Sequence, residues 1–445
     1  MINQRLRAAL FALAMPALAT AQPAPAEPLG KRTEQINRKI AGDLPELESL
    51  YRYLHTHPEL SSQEAETAAR MARELKDAGF EVTAGVGGYG VVGVLKNGPG
   101  PTVLVRTDLD ALPVTENTGL AYASKVRARD KAGNDVGVMH ACGHDVHMTS
   151  WVGTARTLAS MKDAWSGTLV FIGQPAEETA VGARSMLDAG LFTRFPKPDY
   201  ALALHADPKL ATGRVSFTEG MALANVDTVD VIVKGKGGHG AAPHLTVDPI
   251  VLSARIILDL QTIVSREVDP VSPAVVTVGS IHGGTKHNII PSDVHLQITV
   301  RSTRDDVRKN ILDAIDRIAK AAATGARAPE PEVRVNPAEW TPALVNETKL
   351  TQKTVDVFRK VLGPDNVETK PPIMGGEDFS RYGRAGVPIF MYWLGTIPPE
   401  KLAAAEKSGQ PLPTMHSEYY FPDPQPSIRT GVLTMSHAVL NLVGK

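Results

Sequence analysis

Thr102-Val-Leu-Val-Arg-Thr-Asp-Leu-Asp110 is a short, mostly apolar and β-branched run that ends on two carboxylates. A run of this length and polarity reads as a buried strand of a parallel sheet. Two other segments have the same form: Thr168 to Ile172 leads into Glu177 and Glu178, and Tyr200 to Leu204 leads into His205. Helical patterns alternate with such strands from about Glu34 to Gly220, which signals an α/β domain. Open sheets of this class bind ligands beyond the carboxyl ends of their strands, so the acids and the imidazole converge on one edge.

Met139-His-Ala-Cys-Gly-His-Asp-Val-His147 carries the only cysteine of the chain, Cys142, two positions before His144. On an extended segment, side chains two apart share a direction, so one metal ion could meet both the thiolate and the imidazole. With no second cysteine, further ligands must be histidines or carboxylates, a mixture that suits a catalytic site better than a structural one. Taken singly these residues are weak signals. A lone histidine such as His205 is more often a core or surface residue, and an adjacent Glu pair is more often a solvated face. The inference rests on their coincidence: a Cys/His pair, a Glu pair in a Pro-preceded loop and a histidine, two of the three at strand ends.

With 445 residues the chain can build two or three domains, and its formal charge of −1 gives no reason to expect nucleic acid or an anionic membrane as partner. Arg5 and Arg7, the apolar run Ala8 to Leu18 and Ala19-Thr-Ala21 have the three-part layout of a signal peptide, with cleavage expected after Ala21. Export to the periplasm or medium follows as an expectation. There, metal ligation is one way to protect the lone thiol.

The expected organisation is a signal peptide (1–21), a Pro/Ala-rich linker (22–33), a first catalytic part (34–224), an insert (225–336) and a second catalytic part (337–445). The insert reads strand (Thr228 to Lys234), helix (Val247 to Val264), two strands (Ala274 to Ile281, Val294 to Arg301), helix (Arg304 to Ala323) and a short strand near Val333. That β-α-β-β-α-β order is ferredoxin-like. Beyond it, Leu344 to Leu362 reads as a helix, Ile389 to Trp393 as a strand and Ser427 to Val443 as a closing helix. The fold class is thus α/β, a mixed but mostly parallel sheet flanked by helices, with an inserted α+β domain.

Seven ordered motifs carry a resemblance to a known family: His55-Thr-His-Pro-Glu59, Arg106-Thr-Asp-Leu-Asp-Ala-Leu-Pro113, Met139-His-Ala-Cys-Gly-His-Asp145, Gln174-Pro-Ala-Glu-Glu178, Gly237-Gly-His-Gly-Ala-Ala-Pro-His244, His287-Asn-Ile-Ile-Pro291 and Gly375-Gly-Glu-Asp-Phe379. The chain resembles the aminoacylase/carboxypeptidase metallopeptidases (clan MH), in the branch of hippurate hydrolases and auxin-conjugate (IAA-amino acid) amidohydrolases. The resemblance implies a two-metal centre held by Cys142, His144, Glu178, His205 and His416, with Glu177 as general base and Asp110 orienting a ligand imidazole. It further implies that His239 reaches a partner subunit's active site to stabilise the oxyanion, which requires a homodimer built through the insert. Asn288 and Arg301 match substrate-holding positions, and Gly375 and Gly376 are expected against the substrate.

Asp108 stands where many relatives carry a histidine ligand, and Cys142 replaces an acidic bridging residue, a pattern typical of this branch. The thiolate favours Zn2+, while carboxylate and imidazole also suit Mn2+, Co2+ or Ni2+. The implied activity is hydrolysis of the amide of an N-acyl-amino acid. A dipeptidase or carboxypeptidase would use the same centre. A non-catalytic periplasmic binding protein would have no need of Glu177.

Overall fold

The computed structural model describes residues 29–337 and 339–445. The expected signal peptide and cleavage site and most of the expected linker lie outside the described residues. The helix Leu29–Thr56 begins inside the segment 22–33 read as linker. Its first turn is tied by Thr33, whose Oγ1 donates to Leu29 O (2.8 Å) and meets Nε2 of His437 (3.0 Å) on the last helix.

Eight strands form the main sheet, in the spatial order Glu81–Val86, Gly90–Asn97, Gly167–Gln174, Thr102–Asp108, Tyr200–Ala211, Ile389–Ile397, Val215–Phe217, Val367–Thr369. The four central strands from Gly167–Gln174 to Ile389–Ile397 are mutually parallel, and the Gly90–Asn97 pairing with Gly167–Gln174 is antiparallel, so the sheet is mixed as expected. Apolar side chains line both faces because helices cover both. One core packs Leu29–Thr56, His144–Ser160, Thr348–Leu362 and Pro424–Val443 against the sheet, and a second, on the other face, gathers Ala183, Met186, Phe379 and Tyr382.

Two expectations need correction. His205 does not follow its strand but lies within Tyr200–Ala211. This strand pairs with Thr102–Asp108 only over Tyr200 to Ala203, so His205 sits past that shared ladder while the strand runs on beside Ile389–Ile397, opposite Trp393. The helix expected to start at Leu344 starts at Thr348, since Leu344–Asn346 pairs as a strand with Gly220–Leu223. The Glu347 carboxylate then caps the helix by accepting the N–H of Leu350 at 2.6 Å.

Between Asn225 and Val335 a four-stranded antiparallel sheet has the order Ala274–His282, Asp293–Ser302, Asn225–Lys234, Glu332–Val335. Alternation along Asn225–Lys234 sends Val229, Val231 and Val233 into a core with the helices Pro249–Thr262 and Asp305–Gly325. This is the ferredoxin-like arrangement, with its own core separate from that of the main sheet.

Candidate metal centre

The carboxyl edge of the central strands gathers the candidate ligands. Cys142 and His144 do not lie on an extended segment: Gly143 takes a left-handed φ of +79° and His144 opens the helix His144–Ser160. The turn, not strand alternation, brings the two side chains together, and only glycine adopts it without strain. One donor atom each of Cys142, His144 and His205 lie within 4.8 Å of one another, and the same holds for Cys142, Glu178 and His416, and for His144, Glu177 and Glu178. All five expected ligands and the expected base therefore share one cluster. Cys142 Sγ is 3.6 Å from His205 Nε2, and Glu178 Oε1 lies 3.4 Å from His416 Nε2 and 3.8 Å from His144 Nε2.

Hydrogen bonds fix which atoms are free to bind a cation. His144 Nδ1 donates to the Asp110 carbonyl at 2.8 Å, and His205 Nδ1 donates to the Ala206 carbonyl at 2.8 Å. With Nδ1 spent on a carbonyl, each ring turns Nε2 to the cluster as the atom that could bind a cation. His144 Nε2 and Glu178 Oε1 are buried without a hydrogen-bond partner among the described residues, as expected for atoms that hold a metal. Charge agrees with this reading. Burial, then Glu178, Glu177 and Asp108, push the Cys142 thiol well above its ordinary value. Burial works against charge on His144, yet Asp108, Asp110 and Glu178 lift it to about 10. The cluster carries a surplus of negative charge that divalent cations would neutralise.

Asp108, His144 and His147 also come within 4.8 Å of one another, but two of these residues are already committed. His147 Nε2 accepts the Ala206 N–H at 2.7 Å, so its Nδ1 donates to Asp108 Oδ1 at 2.8 Å. Asp108 Oδ2 takes Arg106 Nη1 at 2.8 Å. Asp108 and His147 therefore support the cluster from beneath.

Glu177 and Glu178 sit on a turn, with Ala176 (φ +51°) and Ala180 (φ +58°) both left-handed. Burial, then Glu377, Glu178 and Asp378, push Glu177 well above the usual carboxylate range, against the pull of Arg106. Asp110 accepts the Glu178 N–H (3.0 Å) and the Ser61 hydroxyl (2.6 Å) on Oδ2, and its Oδ1 is 3.6 Å from His144 Nδ1. It thus orients both the His144 ring and the turn.

A profile described as Peptidase family M20/M25/M40 matches residues 104–410. The chain belongs to this family. It is 38% identical to thermostable carboxypeptidase 1 of Saccharolobus solfataricus over 80% of this chain and 88% of that protein. It is 37% identical to the hippurate hydrolase of Campylobacter jejuni over 75% of this chain and 84% of that protein. Among solved structures, the YXEP protein of Bacillus subtilis, a dinuclear metal binding peptidase of the M20 family, superimposes with a TM-score of 0.71 at 29% identity, over 91% of this chain and all of that one. Membership and the ligand clusters together make this M20 chain a metal-dependent hydrolase with a dinuclear site.

The M20 cleft has a volume of about 460 Å³ and is lined by Cys142, Glu177, Glu178, His205 and His416 together with Arg301, Gly375 and Gly376. Gly376 has a packing reason as well as the expected substrate one: a Cβ there would come 2.5 Å from Val226 Cγ2. His239 and Asn288 are not in this cleft. Both are exposed on the insert, where Gly238–His239 pairs with Ile289–Ile290 and His239 Nδ1 accepts the Ala241 N–H at 3.0 Å.

Sequence reasoning gave no role to a buried ion cluster behind Glu177. Arg106 reaches Asp108, Glu377 (2.9 Å) and Asp378 (3.3 Å), while Gln174 donates to Asp378 at 2.6 Å. The available signal was an arginine two residues before an acid inside an apolar strand, which places both on one face.

Proposed function

We propose that this M20 hydrolase cleaves the amide of N-acyl-amino acids, with hippurate-like conjugates as the reference class. The observation that carries this reading is the cleft itself. Its lining brings Glu177, beside the cluster of candidate ligands, into the same cavity as Arg301. Arg301 donates Nε to Thr299 Oγ1 at 3.1 Å and pairs with no carboxylate among the described residues. Leu223, Ile373, Met391 and Trp393 add apolar lining. An unpaired guanidinium suits a substrate carboxylate, and the apolar stretch suits an acyl group.

When bound, two divalent ions, Zn2+ or Mn2+ with Co2+ or Ni2+ as alternatives, would supply Lewis acidity that acidifies water and polarises the scissile carbonyl. Cys142, His144, Glu178, His205 and His416 would hold them. Glu177, whose neighbours raise its proton affinity, takes a proton from the attacking water and returns it to the leaving amine. Arg301 fixes the carboxylate and Gly375 and Gly376 let the substrate approach the backbone.

His239 and Asn288 would complete a second copy's cleft in a homodimer. Support comes from their exposure away from their own cleft and from the exposed apolar Leu245, Val251, Leu258 and Ile281 on the same insert. Residues 1–21 would direct export to the periplasm or medium. Among the described residues no helix is long and apolar enough to cross a membrane.

The test is amino-acid release by the metal-loaded mature protein from N-acetyl-, N-benzoyl- and indoleacetyl-amino acids and from dipeptides, with chelator as control. Release from the acylated substrates, abolished by chelator and restored by metal, is expected. Release from dipeptides alone would replace this reading with a dipeptidase, and no release with metal confirmed bound would favour a binding protein.

A further inference from the structure

Glu64 lies outside the chemistry above, yet it is fully buried against the turn that bears Glu177. It precedes the helix Ala65–Asp77, and its Oε1 accepts two backbone N–H groups, from Ser62 at 2.7 Å and from Ala176 at 2.8 Å. Both donors are non-glycine residues in the left-handed region, Ser62 at φ +66° and Ala176 at φ +51°. Such conformations persist only where the surroundings impose them. Ala176 is the residue directly before Glu177. On the far side, Glu177 O accepts the Ala180 N–H at 2.7 Å, and the Glu178 N–H is held by Asp110, itself bound by Ser61. The segment 61–64 therefore reaches both amides that flank Glu177, one directly and one through Asp110.

We propose that Glu64 is a positioning residue: by holding the Ala176 amide it fixes the left-handed turn that aims Glu177 into the cleft while Glu178 faces the ligand cluster. This rests on the reading of Glu177 as general base. What the Ser62 and Ala176 amides take from Glu64 is one acceptor oxygen, Oε1. Its Oε2 has no partner among the described residues, and burial, then the nearby Asp110, raise Glu64 to about 7. A glutamine would keep the acceptor oxygen, an alanine would remove it, and an aspartate would fall one methylene short.

The experiment compares Glu64→Ala, Glu64→Asp and Glu64→Gln in the full mature, metal-loaded chain. It reads kcat and KM on the best wild-type substrate, metal content, and hydrogen exchange of the Ala176 amide. Glu64→Ala and Glu64→Asp should lower kcat by about tenfold or more with little change in KM or metal content, since a displaced base loses its attack geometry. In both, the Ala176 amide should exchange about tenfold faster or more, reporting local opening of the turn. Glu64→Gln should match wild type in rate and exchange. Wild-type protection of Ala176 in Glu64→Ala, or a Glu64→Gln as impaired as the alanine variant, would overturn the proposal. If Glu64→Ala fails to fold, the aspartate and glutamine variants decide the question alone. Faster Ala176 exchange in a protein whose Glu177→Gln variant stays active would support the hold on the turn and count against Glu177 as base.

Discussion

The two regions expected to share the chemistry are built in opposite ways. At the main sheet's edge, His144 and His205 each spend one ring nitrogen on a backbone carbonyl and turn the other to the cluster, and a buried arginine clamps the acids beneath. On the insert, His239 and Asn288 are exposed, His239 in the short pairing of Gly238–His239 with Ile289–Ile290, and its ring accepts the backbone N–H of Ala241. A metal site needs its donors fixed in advance, because rearranging them would cost affinity. A group that completes another subunit's cleft must stay accessible. The buried cluster is thus set by the chain itself, whereas in the proposed homodimer the exposed residues would be set by assembly.

The largest effect should appear where that contrast is sharpest. Arg106→Met leaves Asp108, Glu377 and Asp378 buried without their cation and should cost about 3–5 kcal/mol of stability. His239→Ala should stay within about 0.5 kcal/mol of wild type, as for an exposed side chain. Denaturant titration of both reads the difference, and equal losses would break the comparison.

Activity should invert the ranking for the insert. His239→Ala should lower kcat by about 10²–10³, the usual cost of removing one oxyanion donor. Mixing it with Glu177→Gln subunits should restore turnover, since one of the two clefts in each heterodimer would be intact. No recovery after verified subunit exchange would make His239 act within its own chain or not at all.

A smaller effect, in stability against pH, belongs to the buried side alone. His55 Nδ1 contacts Asp145 at 2.7 Å and its Nε2 contacts Glu116 at 3.2 Å, bracing the residue next to His144. Burial disfavours the charged ring, but these two bonds outweigh it and lift His55 to about 9 from an ordinary 6.5. The folded state therefore binds this proton more tightly than the unfolded one. Its stabilisation, on the order of 3 kcal/mol, is fully present below about pH 6.5 and is lost as pH rises through about 9. Denaturation followed from pH 6 to 10 should show that loss in wild type and a flatter profile in His55→Gln.

Much of this was legible from local pattern. Short apolar strands, the β-α-β-β-α-β order of the insert and the clustered motifs each depend on residues close in sequence. What was missed depends on distance. Arg106 meets Glu377 across 271 positions, and no spacing announces such a pair. His205 was placed after its strand because periodicity cannot show that one strand outruns its neighbour. Leu344–Asn346 was read as helix because three residues are too few to display a strand's alternation, and only the Gly220–Leu223 partner reveals it. His416, exposed in an irregular loop at φ +65°, lies outside the seven motifs and is named only by the family resemblance.

The division of labour between Glu177 and Glu178 is the centre of the account, and metal content measured beside turnover in Glu177→Gln and Glu178→Gln tests it most directly. Glu177→Gln should keep both metal ions and lose turnover by about 10²–10⁴, the range for removing a general base, while Glu178→Gln should lose metal. Loss of metal from Glu177→Gln with retention in Glu178→Gln would contradict the assignment and exchange the two roles.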